Sequence, residues 1–411
     1  MELYVHIPFC VRKCRYCDFL SSPADDETKI RYIRDVLKEI GYRSEGILFD
    51  TIFIGGGTPS ILDPGLSAKL LEGIRSYAAP GAEWTIECNP GTLSEEKLAI
   101  YRDFGVNRLS LGLQSADDRE LQVLGRIHTY EDFLRTYEMV RNTGFDNVNV
   151  DLMSGLPGQT VSSWDKTLRT VAGLGPEHIS AYSLIIEPGT PFYTDTSLHL
   201  PDEEDERAMY HLTADVLAGY GLSRYEISNY SRPGCECRHN LGYWTGEEYF
   251  GVGIGAASYE KVPGLDKNDY GYRKETCQHG DRKVRSDKDI SGQTGDETVY
   301  IRYNNTRDME QYLGYLEHDD FGGLAGARTD IERIGTRERI SEYMILGLRL
   351  ISGISKADFK DRFGSEPEDI FGETIRKYLD AGLLLEDREG RLFLSPRGLD
   401  LSNVVMADFL P

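Results

Sequence analysis

The chain has 411 residues, 40% of them hydrophobic, with 68 acidic against 46 basic side chains and a net charge of -22. That length suits one large core with a smaller appended domain, and that charge repels phosphate backbones, so nucleic acid is excluded as an expected partner. No apolar run approaches the roughly 20 residues of a membrane helix and no basic-then-apolar leader opens the chain, so neither an integral membrane segment nor secretion is expected. In chain order, β-rich runs fall at 3–7, 51–54, 84–88, 108–113, 147–153 and 178–186, and helical runs between them at 29–40, 65–77, 94–104, 130–143 and 162–174. Ser, Thr or Pro opens several of the helices. The alternation predicts a parallel sheet over residues 1–200, because parallel strands need long crossovers that helices supply. Periodicity leaves open whether that sheet closes into a barrel.

Residues 201–260 begin with an acidic helix over 202–220, followed by strand-like runs at 225–230 and 250–258 that read as edge strands. The stretch 261–330 is polar and charged with little periodicity, and reads as an insertion or linker. Helical period returns in the domain 331–411, at 337–350, 356–363 and 367–381, before hairpin-like runs from 382 to 394. This helix-then-hairpin order resembles a winged helix; the negative charge argues against DNA and favours a substrate-covering lid or packing domain.

Seven cysteines, odd in number and unevenly placed, are no disulfide framework. Three of them, Cys10, Cys14 and Cys17, fall within eight residues directly after the first strand, in a CxxxCxxC spacing. Thiolates so packed point to a metal and to a reducing compartment, the cytoplasm. Three ligands leave one iron of a four-iron cluster open to chemistry. A structural zinc site is the competing reading, but it wants four ligands, and no second CxxC or HxxxH completes one.

Strand 51–54 runs into Gly55-Gly56-Gly57-Thr58-Pro59. Such a loop either brings backbone amides close to a ligand or simply makes a tight turn into a helix. Glu87, Gln114 and Asp151 sit in or at the ends of later strands, where α/β sites are built, although a single polar residue there is often only a buried network member. Gly251, Gly253 and Gly255 follow without the βαβ context of a dinucleotide site and read as backbone crowding near a cofactor.

The CxxxCxxC motif with Tyr16 before its last cysteine resembles the radical S-adenosylmethionine superfamily. The segments Tyr4 to Cys10, Gly55 to Pro59, Ile86 to Pro90, Leu111 to Ser115, Leu124 to Arg126 and Asp151 to Pro157 narrow the resemblance to its coproporphyrinogen oxidase-like branch. The resemblance implies a six-stranded partial (β/α) TIM-like barrel with added edge strands and a C-terminal helical, winged-helix-like domain. It implies a 4Fe-4S cluster on Cys10, Cys14 and Cys17. It implies S-adenosylmethionine held by Tyr4, Tyr16, Gly56, Gly57, Thr58, Glu87, Gln114, Arg126 and Asp151, with Ile185 as an apolar wall near the adenine. Arg126 suits the carboxylate of that ligand, and Glu87 and Asp151 its hydroxyls or ammonium.

Oxidases of the branch carry a further cysteine two residues after the third, where this chain has Phe19. Cys17-Asp18-Phe19 and His239-Asn240-Leu241-Gly242-Tyr243-Trp244 instead resemble the haem-chaperone family, whose HNxxYW motif the latter matches. The resemblance implies haem or another tetrapyrrole as cargo, a haem-acceptor protein and a reductant protein as partners, and His239, Tyr243 and Trp244 as haem contacts. Imidazole ligates iron and flat rings stack on a macrocycle. A hydrogen-bonded His239 closing a substrate pocket is the alternative, as is oxidative decarboxylation of coproporphyrinogen III for the whole chain.

Overall fold

The computed structural model of the chain describes residues 1–262 and 299–411; Cys277 and much of the expected 261–330 insertion lie outside them. Six parallel strands run in chain order: β1 (Glu2–Ile7), β2 (Phe49–Gly56), β3 (Ala78–Cys88), β4 (Arg108–Gln114), β5 (Val148–Ser154) and β6 (His178–Ser183). Helices α1 (Asp26–Arg43), α2 (Pro64–Arg75), α3 (Glu95–Phe104), α4 (Asp118–Leu124), α5 (Tyr130–Asn142) and α6 (Val161–Ala172) connect them. Asp25, Asp63, Ser94, Thr129 and Thr160 each cap a helix N-terminus by accepting a backbone N–H.

The strands sort their side chains by period two. Leu3, Val5, Ile52, Ile54, Ile86, Leu109, Leu111, Val148 and Val150 point outward into the core beneath the helices. Tyr4, Phe53, Glu87, Arg108, Ser110, Asn149, Asp151 and Ser180 point inward and line a cavity. A (β/α) barrel ordinarily fills its interior with branched apolar side chains; here that interior is polar.

The sheet continues at both edges, through α7 (Pro191–Thr194) and α8 (Glu203–Ala218) to β7 (Ser223–Arg224) and β8 (Asn229–Ser231), which lie beyond β6. After α9 (Arg238–Thr245), β9 (Tyr249–Val252) pairs parallel with β1, and β10 (Ala257–Val262), β11 (Val299–Asn304) and, after α10 (Met309–Glu317) and α11 (Phe321–Gly326), β12 (Thr329–Ile334) extend that edge antiparallel. The result is twelve strands in the order β12-β11-β10-β9-β1-β2-β3-β4-β5-β6-β8-β7, whose outermost strands do not pair among the described residues.

Two expectations are corrected here. The run 250–258 is two strands joined by a turn, in which Gly253 and Gly255 take φ of 95° and 63°. A Cβ on Gly253 would run into the Tyr32 hydroxyl and the His6 carbonyl, so the glycine crowding serves the packing of α1 and β1 rather than a cofactor. The described part of 261–330 is integral to the barrel rather than a linker. The Glu39 carboxylate on α1 is fully buried and accepts from Arg43 (3.0 Å), Asn305 (2.8 Å), the Tyr312 hydroxyl (2.6 Å) and the Gly253 amide (2.9 Å), tying α1 to the β9–β10 turn, the end of β11 and α10.

The C-terminal part holds α12 (Thr336–Gly347), β13 (Ile354–Ser355), α13 (Lys356–Phe363), α14 (Pro367–Asp380), β14 (Leu384–Glu386), β15 (Arg391–Leu394) and two short closing helices, with a three-stranded sheet in the order β13-β15-β14 and its own core around Met344, Phe359, Leu392 and Phe409. It packs under the barrel against α9. Arg362 donates to the Thr245 carbonyl (2.8 Å) and pairs with Glu247 (2.9 Å), and the Arg349 guanidinium lies 4.2 Å over the Trp244 ring.

Removing a single member of a buried ionic network strands the others without solvent. Glu39→Ala is therefore expected to lower unfolding stability by about 3–5 kcal/mol, read as a shift in the urea midpoint.

Candidate functional site

The loop after β1 carries Cys10, Cys14 and Cys17, and its neck is closed by Ser22, whose amide donates to the Pro8 carbonyl at 2.9 Å. The glycine loop after β2 zips against it, Gly57 and Thr58 donating to the Ile7 and Phe9 carbonyls at 2.9 and 2.8 Å. A Cβ on Gly57 would stand 2.7 Å from the Phe9 oxygen and Gly56 has φ of 111°, so both positions demand glycine on backbone grounds. Cys10 Sγ lies 3.3 Å from Thr58 Oγ1.

The helix α4, unforeseen in the sequence, fixes the other side. It ends on Gly125 in the left-handed region, the Arg126 amide donates back to the Leu121 carbonyl, and the Arg15 amide of the cysteine loop donates to Leu124 at 3.0 Å. Arg126 then reaches Cys14 Sγ (3.7 Å) and Asn89 Oδ1 (2.7 Å), and Asn89 donates to Thr58 at 2.7 Å. The Arg126 Nε is buried without a partner, an unfilled donor of the kind an anionic ligand satisfies.

These groups line one cavity of about 130 Å³. It gathers the three cysteines with Tyr16, Gly56, Gly57, Thr58, Glu87, Gln114, Arg126 and Asp151. It adds Asn89, Ser110 and Phe19, which the sequence reading did not put forward as ligand contacts; Asn89 directly follows the end of β3, a strand-end position that could have found it, and Ser110 is an inward residue within β4. Among the described residues no three His, Cys, Asp or Glu side chains converge on one point as a single metal ion needs. All three thiols line this one cavity, where thiolates can serve as the soft ligands an iron cluster takes. Six cysteines are free and none is paired among the described residues.

Glu87 accepts from the Gly56 amide at 3.0 Å, and burial, with Asp151 nearby, pushes its carboxyl up to about 8. Burial also raises Asp151, against the pull of Asn149 (2.8 Å) and Ser110 (3.1 Å), which donate to it. Ile185 stands past the end of β6, 68% exposed, and lines neither this cavity nor the one below it. Ile185 thus stands on the outer rim, on the loop after β6.

A second cavity of about 200 Å³ fills the barrel lumen and shares the walls Glu87, Ser110 and Asp151 with the first. Tyr4 lies here, its hydroxyl 3.1 Å from His6 Nδ1, rather than beside the cysteines. The floor is α9. Glu83 on β3 caps it, accepting from the Arg238 amide (3.0 Å), the His239 amide (3.2 Å) and Cys237 Sγ (3.6 Å), where a carboxylate also meets the positive end of the helix. A Cβ on Gly242 would collide with the Glu2 carboxylate, so glycine there lets α9 seat against β1.

His239, expected as a haem contact, sits where α9 closes the lumen. Its ring is 1% exposed, Nδ1 shares a 2.7 Å hydrogen bond with Thr51, Nε2 shares one of 3.0 Å with the Tyr243 hydroxyl, and the ring stacks on Phe53 at 5.1 Å. Burial, then the nearby Arg108 charge, holds it near 3, so it is neutral with both nitrogens committed. His239 and Tyr243 together line the lumen cavity. Tyr243 and Trp244 also line a separate cavity of about 360 Å³ beneath α9, with Tyr249, Tyr343 and Phe363. His239→Ala, which strands Thr51 and the Tyr243 hydroxyl, is expected to cost about 1–3 kcal/mol of stability while leaving cluster absorbance intact; chemical denaturation alongside the visible spectrum checks both.

Comparison with known proteins agrees with this architecture. Residues 4–171 match the radical SAM superfamily and residues 336–401 the HemN C-terminal domain. The haem chaperone HemW of Bacillus subtilis is 34% identical over 99% of this chain and 98% of its own length, and that of Lactococcus lactis 32% identical over 99% and 96%. The structure of the coproporphyrinogen III oxidase HemN from Escherichia coli superposes with a TM-score of 0.77, covering 99% of this chain and 89% of that one at 22% identity, which shows a shared fold. The chain therefore belongs to the radical SAM superfamily, whose cofactors are a 4Fe-4S cluster and S-adenosylmethionine, in the branch that holds the HemW and HemN proteins.

Proposed function

We propose that this chain is a haem chaperone, which binds haem at the mouth of its barrel beside a 4Fe-4S cluster and passes it to an acceptor protein. The observation that carries the reading is the character of that mouth. Val11 and Phe19 on the cysteine loop, Ile127 after α4, and Tyr182 and Ile185 at and after the end of β6 are 56%, 62%, 59%, 41% and 68% exposed. These exposed apolar side chains all follow the C-terminal ends of parallel strands or close on them, and exposed apolar surface of that kind takes up an apolar partner; a flat macrocycle is one. Phe19 lines the cysteine cavity itself. The names of the relatives that match over nearly the whole chain support the same cargo.

The cluster would be held by Cys10, Cys14 and Cys17, and would supply an open iron for S-adenosylmethionine and an electron for its reductive cleavage. Arg126, whose Nε has no partner, is suited to the carboxylate of that ligand. Glu87 and Asp151 offer acceptors to its ammonium and ribose, while Gly56, Gly57 and Thr58 present backbone to it at close range. Tyr16 is half-buried against Leu124 and Phe192 and forms part of the cavity wall. Two partners follow from this chemistry, a reductant protein for the cluster and a haem acceptor, and the free cysteines fit a reducing cytoplasm. Among the described residues no helix is long and apolar enough to cross a membrane.

Anaerobic titration of the cluster-reconstituted protein with haem, and separately with coproporphyrinogen III plus S-adenosylmethionine and reductant, tests the reading. A saturable Soret shift without decarboxylated product is expected, with Cys14→Ala losing the brown cluster absorbance. Conversion of coproporphyrinogen would make the chain an oxidase and Phe19 an unimportant departure.

A pH dependence follows from Glu87. Its raised carboxyl stabilises the ligand-free fold fully below the ordinary value near 4.5, and that contribution is lost as pH rises through about 8. A cationic ligand favours the ionised form, so binding of S-adenosylmethionine is expected to release a proton between those limits and to tighten as pH approaches about 8. Calorimetry in buffers of different ionisation enthalpy reads the proton release, and Glu87→Gln should remove it.

A further inference from the structure

Arg108 carries a charge that neither the cysteine cavity nor the floor of the barrel uses. It opens β4 opposite Thr85 of β3 and turns into the lumen, where its residue is 2% exposed. Its Nε is buried with no acceptor, and the guanidinium makes no hydrogen bond or ion pair among the described residues. The carboxylates near it are committed elsewhere: Glu83 to the start of α9, Asp151 to Ser110 and Asn149, and Glu87 to the Gly56 amide. Arginine does not shed its proton to escape burial, and it presents five donors in a planar fork. A buried fork without acceptors, aimed into a cavity, is built to receive an anion.

The cavity limits what that anion belongs to. At about 200 Å³ the lumen falls below the roughly 300 Å³ at which pockets begin to take whole small molecules, so a limb of a larger ligand enters while its body stays outside. Glu87, level with Ser110 in the sheet register, marks where the lumen meets the cysteine cavity. Arg108 lies two residues, or about 7 Å of strand, further in. An extended arginine side chain and a short acid arm together span that depth. We infer that Arg108 receives a carboxylate carried on a short flexible arm, a propionate of the tetrapyrrole, inserted into the lumen while the macrocycle rests on the apolar rim. The inference rests on the tetrapyrrole reading of the mouth and adds the group by which the cargo is oriented. Asn149, Ser180 and Asn240 in the same walls supply further polar contacts for the arm.

Haem and haem dimethyl ester, in which both carboxylates are masked, separate the arm from the ring. Each is titrated into the full-length, cluster-reconstituted protein and followed by the Soret band, in the wild type, Arg108→Gln and Arg108→Lys. The wild type is expected to prefer haem by about tenfold or more, the gain of a charge-assisted pair. Arg108→Gln should bind haem only as well as the ester, Arg108→Lys should keep part of the preference, and ester affinity should be the same in all three, which also reports an intact mouth. Equal binding of haem and ester by the wild type, or a full preference surviving in Arg108→Gln, would overturn the inference while leaving haem binding in place. Failure of the wild type to bind either ligand would overturn the tetrapyrrole reading and this inference with it. Should Arg108→Gln not fold, the wild-type comparison and Arg108→Lys decide the matter.

Discussion

The carboxylate of Glu83 at the start of α9 is the contact on which the rest of the site depends. A barrel lined with Arg108, Asn149, Asp151, Ser180 and Glu87 cannot fill itself by apolar packing, and without a floor it would be an open, hydrated tube. Glu83 satisfies the first amides of α9, holds the helix across the N-terminal ends of the strands, and so seats His239 against Thr51 and Phe53. The same helix is the surface on which the C-terminal domain packs through Arg349 and Arg362. Floor, lumen and appended domain are thus one construction, and the lumen is left open toward the cysteines.

Much of this was legible in the sequence because the strands obey two simple rules at once. Their outward residues are branched and apolar, which set the six strand positions, and their inward residues are polar, which made Glu87 and Asp151 stand out before any geometry was known. The cysteine loop and the glycine loop were legible because their spacing is local. What could not be read depends on contacts between distant segments. The eight residues of α9 show little apolar period, and their position is fixed by Glu83, some 155 residues away. His239 has the chemistry of a haem ligand in isolation, but its hydrogen bonds to Thr51, some 188 residues away, and to Tyr243 exist only in the folded chain. Strand β12 has five exposed residues out of six and so hides in a polar stretch, whereas Tyr312, Leu313 and Leu316 on α10 carried a helical apolar spacing that would have shown the segment to be core.

A chaperone and an oxidase of this branch need the same cluster and the same fold, and differ in what happens to the tetrapyrrole. In this chain the position where the oxidases carry an extra cysteine is an exposed phenylalanine at the edge of the cysteine cavity. The change replaces a polarisable, metal-seeking thiol by a ring suited to lie against a macrocycle. With apolar side chains at the rim, a cationic fork in the lumen and carboxyls raised by burial between them, the mouth is arranged to hold an amphipathic plate by its faces and by one acid edge. Such a hold is reversible, because the rim is solvent-exposed and the macrocycle is not enclosed, which is what delivery to another protein requires.

The most direct test is transfer. Haem-loaded, cluster-reconstituted protein is mixed anaerobically with an excess of apomyoglobin in the presence of S-adenosylmethionine and reductant, the arrival of haem is followed by its changed Soret band, and the delivered tetrapyrrole is weighed by mass spectrometry. The account predicts complete transfer of haem of unchanged mass. Haem that stays on the chain, or that arrives having lost carbon dioxide, would contradict it.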